Sequence, residues 1–545
     1  MNIRKYNIYF HTHTISGIII CALLYVIFFA GSYSFFKKEI SAWQSNTSYS
    51  AHENQPVVYN KLLDSLNQKH NLTGRDISLY FQQHTFDSYV DMSASKDSTL
   101  VPKKKHAEEV GKGRGRGRGR GGDGAYFKYN FINGNSSTYQ QSYDMGEFLY
   151  RLHFLAQLNS VPVRLGTPFG YLLAGVVSFI FLFALITGLM LHWDKIVSNF
   201  FIFRPWSKVK TVWTDAHTAL GVIGFPYQFI YAITGIILIF NVVIITPFST
   251  IFYGGKADKL YQDLGYSDSR EYNYSYHALN KKVDVNSYVD RTKKLWKDPF
   301  IQNVSIKNYG DTSMHIIIEG TANKKESFAG TGKIIYKVEN DQIVFHKSPL
   351  TDVTYVDKVR SLIYRLHFGD YGGYALKIIY FVLGIMGCVV IISGILVWLV
   401  ARDKNNIPAY KRKFNFWLAN IFLAGCLAMF PVTALTLVAV KVNGAADQDF
   451  IYHFYFYSWL ILGMYYVIRK DLNRTNRETI LLGSIFSLCI PIANGICTGN
   501  WIWNTYASGA VDILFIDVFS IALAMIGFIS FYKIRQRQKK QAETT

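Results

Sequence analysis

Tyr-Arg-Leu-His-Phe stands at residues 150–154 and again, unchanged, at residues 364–368. Each copy precedes a long apolar segment that ends in a Gly and a Trp: Thr187-Gly188 with Trp193 after the first, Ser393-Gly394 with Trp398 after the second. A second pattern repeats beside it. His13 is followed by Gly17 and Gly31, and His217 by Gly221 and Gly235, with offsets of 4 and 18 residues in both cases. An 18-residue offset is about five helical turns and about 27 Å of rise, so His13 and Gly31 share one helix face at opposite surfaces of a bilayer. His217 and Gly235 do the same. The chain is read as a duplicated membrane unit that carries histidines.

The composition agrees: of 545 residues, 50% are hydrophobic, 16% aromatic and only 17% charged, too apolar for a soluble chain of this size. Stretches near 15–36, 169–192, 217–248, 378–400, 414–440, 450–468, 479–498 and 511–532 each approach or exceed the roughly 20 residues that cross a bilayer as a helix. Eight spans are expected. The first is longer than the apolar core of about 7–15 residues in a signal peptide, and reads as a retained anchor.

Lys and Arg gather at Arg4 and Lys5, then after spans two, four, six and eight, which are alternate loops. The positive-inside rule then puts both termini in the cytoplasm, in an inner-membrane topology. Residues 37–168 and 249–377 become large extracytoplasmic regions. The second reads as a small α+β unit, with a helix around 285–297 and strands at 301–308, 313–319, 333–338 and 342–346. The first resembles it, with a helix near 57–70 and a strand near 76–81, and is interrupted by a Gly-Arg insert at 111–122. That insert has nothing apolar to bury and reads as a solvated linker. The net charge of +20 comes mostly from the insert and from cytoplasmic loops facing anionic lipid headgroups, so no nucleic-acid partner is implied. The five cysteines lie in or beside apolar spans without metal-binding or redox spacing.

In this topology His13 and His217 sit together at the cytoplasmic surface, and His153 and His367 at the outer one. Neutral imidazole is a standard axial ligand of haem iron. The two pairs are therefore expected to hold two b-type haems, Gly17 and Gly221 giving room beside the inner one and Gly31 and Gly235 beside the outer. Close helix packing without any cofactor also explains Gly31, Gly188, Gly235 and Gly394. Arg151 and Arg365 directly precede the Leu-His of each copy and are candidates for haem propionates, or for interfacial snorkelling. His192, at the cytoplasmic end of span two, is a reserve ligand; its counterpart in the second repeat is Trp398. His11 reads as interfacial, His453 as structural and the histidines of the two large loops as surface residues.

These motifs, His-x-x-x-Gly opening a span that ends near Thr-Gly and Leu-His-Phe-Gly-x-x-Gly-Gly before a span ending Gly-x-x-x-Trp, resemble the PepSY-associated transmembrane helix family over about residues 8–402. The match is close at His217 with Thr234-Gly235 and at His367–Gly373 with Gly394 and Trp398. It is looser in span one, where Ala30-Gly31 replaces Thr-Gly and Thr14-Ile15 replaces Arg-Trp. The resemblance implies PepSY-like extracytoplasmic domains and a kinship with iron-regulated inner-membrane proteins and haem-containing ferric-siderophore reductases.

The expected fold is thus an α-helical membrane protein with about eight transmembrane helices, duplicated two-helix haem-binding units and two small α+β insertions. Its expected divisions are 1–40, the first PepSY-like region 41–165, 166–250, the second 251–375, 376–402, and a C-terminal membrane region 403–545. The expected function is electron transfer through two haems b to an extracytoplasmic ferric siderophore, with quinol or a separate reductase as donor, since no dinucleotide-binding Gly-x-Gly-x-x-Gly follows a strand. Two other readings stand beside it: a transporter subunit for iron or a chelate, and a membrane-anchored PepSY binding module.

Overall fold

A computed structural model describes residues 2–53, 55–83, 85–100, 124–163, 167–201, 204, 207, 209–239, 241–264, 270–324 and 326–543. The Gly-Arg insert at 111–122, His84 and His106 lie outside the described residues. In chain order the helices are α1 (Ile3–Ser34), α2 (Lys37–Ser45), α3 (Tyr59–Lys69), α4 (Met145–His153), α5 (Phe169–His192), α6 (Ile196–Phe201), α7 (Val209–Ile239), α8 (Asn241–Tyr253) and α9 (Ala257–Asp263). They continue as α10 (Val285–Leu295), α11 (Tyr355–Phe368), α12 (Gly373–Arg402), α13 (Ala409–Asn443), α14 (Gln448–Arg469), α15 (Leu472–Thr498), α16 (Ile502–Ala507) and α17 (Val511–Glu543). The strands are β1 (Ile77–Phe81), β2 (Asp87–Met92), β3 (Ala125–Asn130), β4 (Ser136–Ser137), β5 (Phe300–Lys307), β6 (His315–Thr321), β7 (Thr331–Lys337) and β8 (Gln342–Lys347).

The chain divides into two compact units. The membrane unit comprises Met1–Ala51, Tyr143–Gly255 and Arg365–Thr545. Within it α1 packs on α5 and α12, and α7 packs on the same two, closing a ring of four in which α1 and α7, the His-x-x-x-Gly helices, are counterparts. A second group follows, with α13 against α14 and α15, and α15 against α17; it joins the ring where α12 meets α13 and α2 meets α17. Among the described residues seven helices, α1, α5, α7, α12, α13, α15 and α17, are long and apolar enough to cross a membrane, and the protein is a multi-pass membrane protein. The remaining expected span, 450–468, is α14, a helix of 22 residues. Tyr452, Tyr455, Tyr457, Tyr465, Tyr466 and His453 keep it less apolar than the other seven.

The second unit comprises His52–Ser142 and Lys256–Tyr364. Among the described residues its eight strands form one antiparallel sheet in the order β4-β3-β2-β1-β5-β6-β7-β8. The two α+β regions expected from the sequence are therefore halves of one sheet, each a helix followed by four strands, joined where Ile77 pairs with Ile306 and Leu79 with Val304. This pairing uses up an edge that each half would otherwise expose. Period-two apolar residues, Ile77 and Leu79, Val90 and Met92, Ile316 and Ile318, Ile334 and Tyr336, form a core with Leu62, Leu63 and Leu66 of α3 and Val285 and Val289 of α10. The halves also cap each other: Asn286 Oδ1 accepts from Asn60 N and Asn60 Oδ1 from Val285 N, both at 3.0 Å.

Candidate site: two histidine pairs

His13 on α1 and His217 on α7 face each other with ring centroids 6.0 Å apart. His153, the last residue of α4, and His367, near the end of α11, stand 5.9 Å apart. The structure thus brings together both pairs expected from the sequence. Two imidazoles bound to one metal at about 2 Å each have ring centres roughly 6 Å apart, so both spacings suit a single ion held between two nitrogens.

Which nitrogens those are follows from the hydrogen bonds. Nδ1 of His13 donates to Ala184 O at 2.9 Å, Nδ1 of His153 to Ile27 O at 2.8 Å, and Nδ1 of His217 to Val390 O at 2.9 Å. A carbonyl can only accept, so each Nδ1 carries the proton, and in the neutral ring it is Nε2 that holds the lone pair. For His367 the partner is Thr234 Oγ1 at 2.8 Å. That hydroxyl gives its own hydrogen to Ile230 O at 2.7 Å, so it too accepts from Nδ1. In all four rings Nε2 is the nitrogen that a metal would take, and the Nδ1 bond fixes tautomer and ring plane. Burial also draws the pKa of His153 and His367 below the usual imidazole range, which keeps both neutral.

The seats for these rings come from a small residue followed by Gly in each of the four repeat spans. An added Cβ on Gly31 would lie 2.5 Å from His153 Nδ1; on Gly188 it would lie 3.0 Å from His13 Cε1, and on Gly394 3.0 Å from His217 Cε1. In each case the carbonyl that accepts Nδ1 belongs to the residue four before that glycine: Ile27, Ala184 and Val390. Thr187 and Ser393, just before two of the glycines, donate to the same Ala184 and Val390 carbonyls. Ala30-Gly31, Thr187-Gly188 and Ser393-Gly394 are therefore histidine seats. At the fourth, Thr234-Gly235, the threonine holds His367 and Gly235 faces Ser178 Oγ. Spacing along one chain does not disclose this role, because each seat lies on a different helix from its histidine; the available signal was the small residue before Gly near the end of each of the four repeat spans.

Gly17 and Gly221 meet nothing within 4 Å, so the helix faces next to the inner pair have open space. Arg151 is engaged by Glu147, Nε to Oε1 at 2.5 Å, and Arg365 lies within electrostatic range of Asp370. His192 is close enough to interact with His13 and His217. Among the described residues no three His, Cys, Asp or Glu side chains converge on a common point. Each pair thus supplies two neutral nitrogen ligands from two helices, the donor set that suits a metal whose remaining ligands come from a macrocycle.

A search of curated proteins finds no match to this chain. The duplicated histidine helices and their glycine seats all lie between residues 10 and 401, the span matched by the model of the PepSY-associated TM region family, and the chain belongs to that family.

Proposed function

We propose that the protein is an inner-membrane di-haem b oxidoreductase that moves electrons outward to a ferric chelate, such as a siderophore, from a quinol or a separate reductase. The observation that carries this reading is the pairing of four half-buried, Nδ1-protonated imidazoles at 6.0 and 5.9 Å. His13 and His217 would hold the inner haem, His153 and His367 the outer. When bound, haem b supplies one-electron chemistry. The chain's part is to orient Nε2 through the Nδ1 bonds and to shield the half-buried rings. It also sets the spacing through the rise of α1 and α7, about 27 Å from histidine to outer glycine. Both termini would be cytoplasmic, with the sheet unit outside, as the distribution of basic loops directs.

A dithionite-reduced minus oxidised spectrum of the detergent-purified protein, with haem counted per chain, tests the reading. About two b-type haems are expected, and one each in His217→Ala and His367→Ala. A colourless protein, or variants that keep both haems, would overturn it.

A further inference from the structure

We infer that the C-terminal helices α13–α17, which lie beyond the family match, position the outer histidine pair by holding α4, and with it His153, through a clamp centred on α2. Trp43 of α2 has no solvent exposure. Its indole N–H donates to Asp517 Oδ1 of α17 at 2.8 Å, and Asn494 of α15 donates to the other oxygen at 2.8 Å. Lys441 of α13 lies 4.1 Å from the indole centroid and donates to the Trp43 carbonyl and, at 2.8 Å, to Asn46 Oδ1. Asp512, at the start of α17, accepts from Tyr49 N at 2.7 Å and from Ser48 and Ser50. Three C-terminal helices thus grip one nine-residue helix and the turn that follows it.

The other face of α2 holds α4. Lys37 pairs with Glu147 at 2.6 Å, Gln44 Oε1 accepts from Met145 N at 2.9 Å, and Gly146 sits so close to the Lys37 carbonyl that a Cβ there would clash. The C-terminal group also touches α4 directly, with Phe148 4.7 Å from the Tyr455 ring of α14. Ionisable groups buried at membrane depth are costly unless they serve a purpose. Lys441 and Asp517 serve one here by fixing Trp43. His367, by comparison, is held from α7, by Tyr231 donating to its carbonyl at 2.8 Å and by Thr234.

The functional weight of this inference rests on the outer pair being a working site, but its test reads backbone protection and needs no haem. Hydrogen exchange by mass spectrometry on the full-length protein in detergent would compare wild type with Trp43→Phe, which keeps a ring but loses the N–H, and with Asp517→Leu. Exchange across 145–153 is expected to rise about tenfold in both, as local opening becomes easier, with 217–235 unchanged and haem lost from one site only. Unchanged exchange across 145–153 in Trp43→Phe would overturn the inference, as would an equal rise in every helix. A wild type that carries no haem would instead remove the di-haem reading and leave the clamp standing or falling on exchange alone.

Discussion

A single methyl group added at Gly31 probes the site at its tightest point. The Cβ of Gly31→Ala would lie 2.5 Å from His153 Nδ1 and 2.8 Å from Cε1, where relaxed contacts are about 3.5–4.0 Å. The ring must retreat by about 1 Å, and the 2.8 Å bond from Nδ1 to Ile27 O is lost, because such bonds weaken steeply with distance and angle. Overpacking costs about 1–3 kcal/mol and the hydrogen bond about 1 kcal/mol, while alanine's better helix propensity returns about 1 kcal/mol. The net is about 1–3 kcal/mol against the outer pair, or about fivefold to a hundredfold in its affinity for haem. Gly188→Ala and Gly394→Ala meet His13 and His217 only at 3.0–3.2 Å, so a shift of a few tenths of an ångström relieves them and a loss of about threefold is expected at the inner pair. Gly17→Ala and Gly221→Ala meet nothing and should leave the haem-free protein at least as stable as wild type, since alanine is the better helix former. Haem titration into haem-free protein, read by Soret amplitude with the two sites resolved, gives the affinities. Wild-type affinity for both haems in Gly31→Ala would refute the seat argument.

Two further outcomes follow from the hydrogen bonds. Thr234→Val removes the only acceptor described for His367 Nδ1 without changing side-chain volume much; about 1–2 kcal/mol is lost, and the outer haem should dissociate about tenfold faster while the inner one is unaffected, measured by transfer to apomyoglobin. In the sheet unit, burial works to raise the pKa of Asp357, but bonds from Lys347 and Thr331, each 2.7 Å, and from Thr354 outweigh it and hold the group at about 2. The unfolded value is about 3.9, so this carboxylate stabilises the unit fully above about pH 4 and loses that contribution as pH falls through about 2. With solvent screening allowed for, about 1–2 kcal/mol is at stake. The urea midpoint for exposure of β7, read by hydrogen exchange, should fall across that window in wild type and stay low and flatter in Asp357→Asn; identical profiles would exclude the role.

The sequence disclosed what repeats along one helix and concealed what is made between helices. The offsets of His13 and His217 to their glycines, and the two Tyr-Arg-Leu-His-Phe copies, were enough to place four histidines in two facing pairs, because a straight helix turns spacing into position. Gly188 and Gly394 looked like packing residues, since nothing local links them to His13 and His217 on other helices. Strands β2 and β3 escaped notice because the Gly-Arg insert separates them, although Asp87–Met92 and Ala125–Asn130 pair in full register. The second half of the sheet, with shorter turns and denser β-branched residues, was legible strand by strand. What no spacing could show is that β1 and β5 join the halves, since their pairing spans more than 220 residues of chain.

The duplication is not symmetric where it matters, and the difference has a direction. Three histidines give Nδ1–H to backbone carbonyls, whereas His367 gives it to a hydroxyl already engaged as a donor. A carbonyl is the stronger acceptor, so it makes the imidazole more electron-rich and a more basic ligand. The inner pair has two such imidazoles and the outer pair only one. A less basic ligand set favours the reduced metal, so on the proposed reading the outer site would have the higher potential and outward electron flow would be downhill. Thr234, which stands in α7 where α1 has Ala30, would thus give a pseudo-symmetric bundle an outward sense.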